Sequence, residues 1–328
     1  MTKSENIYNL RQCDSVEIVS LVDNISDLIT LSGDEFMRYS PVKGQEMGTH
    51  LLAEHGFSVV VKVTRGDENH TIVMDGGLKA VLPDGSVHTT ASFNLRAMSM
   101  SLDDIEGIFI SHGHFDHTGG IADIIRYCGK KNLPVWIHPD VLSQRWLCFA
   151  DKKIKIPALV QQEIEEAGGL IVKSTQPEFL VQGLILTSGE IERKTDFEKG
   201  YPCNFKETDG ELKPDPEIVD DQCLIMNLKN KGLVIITGCA HAGVINSVLH
   251  ARKITGVKQI YAIMGGFHLE GAFFRPLIKR TVEELQKLKP HRVIPGHCTG
   301  YSAMNELQRV MPEAYIHNVV GTRYTFKK

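Results

Sequence analysis

The chain reads as an α/β protein, and three features of its sequence predict that class. Apolar, β-branched runs of strand length alternate with amphipathic runs of helical spacing from one end to the other. No linker, internal repeat or low-complexity tract divides them, so residues 1–328 are expected to form a single domain. Several of the apolar runs stop at glycine followed by histidine, aspartate or cysteine, and glycine there permits the tight turn that brings a side chain to an ion. With 328 residues, 42% of them hydrophobic, the chain can bury a sizeable core.

Strands are predicted at 16–22, 58–63 and 71–74, where Val and Ile recur, with turn-forming residues at 64–69 and 83–86. The apolar run 107–110 is a further strand, and the residues after Gly119 have the spacing of a helix over 119–128. A strand at 135–138, a helix at 158–167 and strands at 170–172 and 184–187 follow. Residues 192–221 hold Pro202, Pro214 and Pro216 among many charges, and are expected to be an irregular insertion or lid. Beyond it come strands 223–228 and 233–237, helix 244–254, strand 259–264, helix 277–288 with Pro276 at its first turn, strand 292–294 and helix 303–310. Trp136, Trp146 and Phe149 are expected in the core, Trp146 and Phe149 having the alternative of stacking a flat ring.

A formal charge of −4 gives no general attraction to nucleic acid or to anionic membrane. No apolar run approaches the roughly 18–20 residues that a spanning helix needs. The opening residues, Met1 to Asn6, lack an apolar signal region, so a cytoplasmic location is expected. Seven cysteines with no C-x-x-C pair make a disulfide framework or a Cys-only metal site unexpected. Cys239 and Cys298 stand apart, each close to a histidine at the end of an apolar run.

The densest chemistry is Ser111-His112-Gly113-His114-Phe115-Asp116-His117. Imidazole suits zinc and iron, and His112 and His114, two residues apart in an extended loop, can reach one ion. Asp116 and His117 point elsewhere, which predicts a second ion about 3.5–4 Å from the first, as in binuclear hydrolases. More ligands stand at other strand ends: Gly238-Cys239-Ala240-His241, Gly265-Gly266-Phe267-His268 and Pro295-Gly296-His297-Cys298.

On His112, His114, Asp116 and His117, with Asp75-Gly76-Gly77, Thr237-Gly238-Cys239 and Pro295-Gly296-His297, the chain resembles the metallo-β-lactamase-fold superfamily. The resemblance implies a four-layer αββα sandwich with metals in a groove at one edge of the two sheets. Within it, Leu21-Val22-Asp23-Asn24, Ala53-Glu54-His55-Gly56-Phe57-Ser58 and the three strand-end turns are similar to 7,8-dihydropterin-6-yl-methyl-4-(β-D-ribofuranosyl)aminobenzene 5′-phosphate synthases. The likeness places His112 and His114 on a first metal, and Asp116, His117 and His297 on a second. Cys239 stands where many members have a bridging aspartate; a thiolate holds zinc at about 2.3 Å but is not expected to bridge as a carboxylate does. No histidine lies between His138 and His241, so His241 is the expected third ligand of the first metal, with Glu190 and Asp221 as oxygen alternatives.

Glu54 and His55 are expected near the groove, and His268 with Arg275 could hold a phosphate, giving four substrate contacts. Helix starts near Gly119, Ala242 and Ser302 would aim N–H groups at an anionic small-molecule substrate. The expected activity is hydrolysis of an ester, lactone or phosphoester by a metal-activated water. Asp116 and His241 are the expected catalytic residues, Asp116 serving as both ligand and orienter or proton acceptor for that water. Two divalent ions are expected, zinc first, with iron or manganese compatible. The alternatives are a transferase that releases diphosphate from a dihydropterin substrate, as the subgroup implies, and a di-iron redox or sensing protein. Oligomeric state has no signature in the sequence.

Overall fold

The β-branched run Ser15–Val22 pairs antiparallel with Ser58–Arg65 on one side and with Arg323–Lys327 on the other. In the computed structural model, which describes residues 7–149 and 152–328, these are three adjacent strands of an eight-stranded sheet. Its order is Gly169–Lys173, Leu133–Ile137, Ile105–Phe109, Glu68–Met74, Ser58–Arg65, Ser15–Val22, Arg323–Lys327 and Phe36–Met37. A second, seven-stranded sheet runs Phe179–Leu180, Ile185–Thr187, Cys223–Leu228, Gly232–Thr237, Ile260–Gly266 and Arg292–Gly296, with Gln12–Cys13 beside Cys223–Leu228.

Successive side chains of a strand point to opposite faces, so strands that are apolar throughout must be covered twice. Val59, Val61, Ile72 and Met74 of the first sheet meet Leu224, Met226, Val234 and Ile236 of the second in the central core. The neighbours of these residues face outward. Val60, Val73 and Ile108 pack under helices Thr90–Ala97, Ile121–Cys128 and Gln161–Ala167. Ile225, Ile235 and Ile263 pack under Val244–Thr255, Ile278–Leu288 and Tyr301–Val310. The result is the αββα sandwich that the resemblance implied. Each fully buried Val or Ile contributes about 1.5–3 kcal/mol relative to an exposed one.

Parallel pairing then decides where the polar turns fall. Ile105–Phe109 runs parallel to Glu68–Met74, with Phe109 level with Met74. Gly232–Thr237, Ile260–Gly266 and Arg292–Gly296 are also parallel, with Thr237 level with Gly265 and Gly266 with Gly296. Their C-terminal ends, each followed by a ligand-type residue, therefore lie side by side.

Helix Thr90–Ala97 was not expected, because it buries Thr90, Ser92 and Asn94 and so shows no apolar stripe. Asn94 holds it in place by donating to the Leu21 and Leu52 carbonyls. The predicted helix 119–128 begins as a separate turn, Phe115–Thr118, before Ile121–Cys128. Residues 192–221, expected to be irregular, carry the hairpin Asn204–Thr208/Glu211–Pro214 around Asp209-Gly210, both at positive φ. It completes a four-stranded antiparallel sheet with Arg145–Phe149 and Lys152–Lys155. Trp136 packs against the central core as expected. Trp146 does not; it lies on the small sheet, half-buried, and donates to Glu207 Oε2 at 3.1 Å. The Phe149 side chain lies outside the described residues. Among the described residues no helix is long and apolar enough to cross a membrane.

Candidate metal centre

Strand Glu68–Met74 ends in Asp75, a buried aspartate at φ 60°. Its Oδ1 accepts the Ser111 N–H at 2.7 Å, and its Oδ2 accepts Ser111 Oγ–H and His117 Nδ1–H, both at 2.7 Å. Ser111 Oγ, having given its proton to Asp75, accepts from His112 Nδ1 at 3.0 Å. One carboxylate thus sets two tautomers, leaving the lone pairs of His117 and His112 on Nε2. His297 is held alike. Its N–H donates to the Asp23 carboxylate at 3.1 and 3.2 Å, and its Nδ1 meets Asn24 Oδ1 at 3.3 Å.

The freed nitrogens face one another. His117 Nε2 lies 3.2 Å from His297 Nε2 and 3.1 Å from Cys239 Sγ, and Asp116 Oδ2 lies 3.2 Å from His297 Nε2. The four groups, Asp116, His117, Cys239 and His297, are buried with ligand atoms within 4.8 Å of one another. Nitrogen, oxygen and sulfur donors that converge in this way form a mixed set that suits zinc, iron or manganese.

A second buried group, His112, Cys239 and His241, meets the same 4.8 Å limit. His112 Nε2 and His241 Nδ1 are buried without a hydrogen-bond partner. His241 Nε2 is 3.1 Å from His114 Nδ1, while His114 Nε2 donates to Asn204 Oδ1 at 3.2 Å. Burial holds His112 and His241 well below the ordinary imidazole range, and burial together with Arg145 brings His114 down to about 4. All three are therefore neutral near pH 7, the form that binds metals. Burial works against ionisation of Asp116, yet His117 and His297 hold its carboxyl below the usual range.

The structure brings His112, Asp116, His117, Cys239, His241 and His297 together; His114 reaches them through His241. Cys239 belongs to both groups. Neither oxygen alternative joins the donors. Glu190 pairs with His138 Nε2 at 3.1 Å, and Asp221 Oδ2 accepts the Ala242 N–H at 2.9 Å.

The expected substrate contacts divide. His55 Nε2 stands 3.4 Å from Asp116 Oδ2 with its side chain 61% exposed, so it borders the centre. Glu54 is turned to the scaffold instead, Oε1 accepting the Leu78 N–H at 2.8 Å and Oε2 the Thr90 hydroxyl at 2.6 Å. His268 lies against His241, ring centroids 4.3 Å apart. Arg275 is exposed and pairs with Glu270 at 2.6 Å. At the start of the helix at Val244, two N–H groups are already taken. Glu198 from the 192–221 segment accepts those of Ile245 and Asn246, each at 2.9 Å.

Other contributors had no assigned role from sequence. Asp75 and Asp23 orient the histidines, and the strand-ending Asp75-Gly76-Gly77 was the available signal for the first. Arg145, buried on the small sheet, donates to Asp220 Oδ1 at 2.5 Å, and Asp220 Oδ2 accepts the Gly113 N–H at 2.8 Å, tying that sheet to the histidine loop. Tyr201 stands nearly parallel to His241, with centroids 6.4 Å apart, and no pattern in the sequence announced it.

The sequence profile of the metallo-beta-lactamase superfamily matches residues 53–297. The 7,8-dihydropterin-6-methyl-4-(beta-D-ribofuranosyl)-aminobenzene-5′-phosphate synthase of Methanocaldococcus jannaschii is 30% identical over 302 residues, 90% of this chain and 95% of that protein. An uncharacterized protein of the same organism is 27% identical over 268 residues, 81% of this chain and 92% of its own. The crystal structure of a metal-dependent hydrolase of the beta-lactamase superfamily superposes with a TM-score of 0.71 at 23% identity, over 95% of this chain and all of that one.

Proposed function

Because this chain belongs to the metallo-β-lactamase superfamily, we propose that it is a binuclear metal-dependent enzyme of hydrolase type acting on an anionic ester, lactone or phosphoester. The observation that carries the reading is the convergence of two buried donor groups on Cys239. Asp116, His117, His297 and Cys239 would hold one divalent ion, and His112, His241 and Cys239, with His114 adjoining, the other. Such ions supply Lewis acidity and lower the pKa of a water to about 7. The chain's own part is orientation and proton handling. Asp75 and Asp23 fix the imidazoles, and Asp116 Oδ2, facing His297 and His55, orients a water and accepts its proton. The exposed His55 ring is placed to meet the substrate. A panel of ester, lactone and phosphoester substrates tests this: Asp116→Ala should lose at least about 100-fold in kcat, in the range of general-base losses. Full activity in that variant would reject it.

A second reading is a transferase releasing diphosphate, favoured by the 30% identical synthase and by the ring cluster beside the centre. There His268 packs on Phe274 with centroids 4.6 Å apart and on Tyr201 at 5.4 Å, an aromatic surface for a flat substrate ring. Diphosphate release that requires both a dihydropterin diphosphate and an aromatic acceptor would establish it. Release from the pterin alone would favour hydrolysis.

A further inference from the structure

The turns after Gly232–Thr237, Ile260–Gly266 and Arg292–Gly296 carry one more donor group that neither reading uses. Cys239, His268 and Cys298 have ligand atoms within 4.8 Å of one another, and His268 and Cys298 belong to neither of the groups described above. Two features mark a built arrangement. Each turn is held in the left-handed region at a residue with a side chain: Ala240 at φ 56°, His268 at 43° and His297 at 47°. Such conformations are strained for a residue with a side chain and persist where surrounding structure enforces them. Gly266 is also needed, since a Cβ there would lie 2.6 Å from Cys298 Sγ and 3.3 Å from Cys239 Cα.

One nitrogen of the group has no use within the protein itself. His268 Nδ1 is buried without a hydrogen-bond partner. Cys298 Sγ reaches the Cys239 carbonyl at 3.7 Å, a weak sulfur contact. The rings of Phe274 and Tyr201 pack against His268, which is half-buried. Two sulfurs and an imidazole form a softer set than the Asp116 group, and thiolates select zinc, copper(I) and cadmium-like ions over magnesium or manganese.

We infer that Cys239, His268 and Cys298 form a third cation seat, for a thiophilic ion, which shares Cys239 with the two seats proposed above. The inference rests on Cys239 being a metal ligand. Three protein donors leave a fourth position open, as in catalytic rather than structural zinc sites. An ion there would lie beside the His241 ring, which His268 touches with centroids 4.3 Å apart.

The test uses the full chain, stripped with a chelator and titrated with Cd²⁺, with bound equivalents counted by mass spectrometry and thiolate-to-cadmium absorption followed in the ultraviolet. Cys298→Ser and His268→Gln should each bind one equivalent less than wild type, and Cys298→Ser should also lose part of the thiolate absorption. His268→Gln gives the same count independently if the serine variant folds poorly. Equivalents and absorption unchanged in both variants would overturn the third seat. If Asp116→Ala still lost an ion in that experiment, the hydrolytic centre would stand without it.

Discussion

Asp75 binds no ion in this account, yet two proposed ligands take their orientation from it. It receives the His117 proton directly and orders His112 through Ser111, so both imidazoles present Nε2 to Cys239. In Asp75→Asn the single amide oxygen cannot accept all three bonds, and the NH₂ group opposes the Ser111 or His117 donor. Competition against a chromophoric chelator should show metal affinity about 10–100-fold weaker, the usual cost of losing such an orienting partner. Unchanged affinity would mean that the tautomers are set elsewhere. The donor cluster was legible because His112 to His117 crowd three imidazoles and a carboxylate into six residues. Their supports were not, because Asp75 meets His117 across 42 residues and Asp23 meets His297 across 274, separations that no local pattern spans.

Among the elements, the 192–221 segment departs most from its expected form. Its hairpin was hidden because one layer of strand on a small sheet needs no apolar alternation, and Asp209-Gly210 was its clearest signal. Glu198, from the same segment, closes the start of helix Val244–Thr255. Burial raises its carboxyl from 4.5 to about 7, against the lowering effect of the Ile245 and Asn246 N–H groups. The folded chain therefore binds more protons than the unfolded one between these values. Glu198 contributes stability that is fully present below pH 4.5 and is lost as pH rises through about 7. Urea unfolding of wild type and Glu198→Gln across this range should show wild type losing stability relative to the variant. The loss should approach about 1.4 kcal/mol for each unit of pKa. Parallel profiles would show that Glu198 is ionised throughout.

Across the whole molecule, the layers were legible from strands apolar on both faces, and the edge that gathers the donor groups from glycine-plus-ligand turns. The pairing of Arg323–Lys327 with Ser15–Val22 was not, since Arg-Tyr-Thr-Phe-Lys has only Tyr324 and Phe326 turned inward. The proposed ligands come from both sheets: 112–117 follow the first, and 239, 241 and 297 follow the second. The centre thus joins the two halves at their common edge, and the central claim is that it holds two distinct ions across Cys239. Counting zinc per chain in wild type, Asp116→Ala, His241→Ala and the double variant tests this most directly. Each single variant should lose one ion and the double variant two. If the double variant loses no more than either single one, Asp116 and His241 serve the same ion and the binuclear account is wrong.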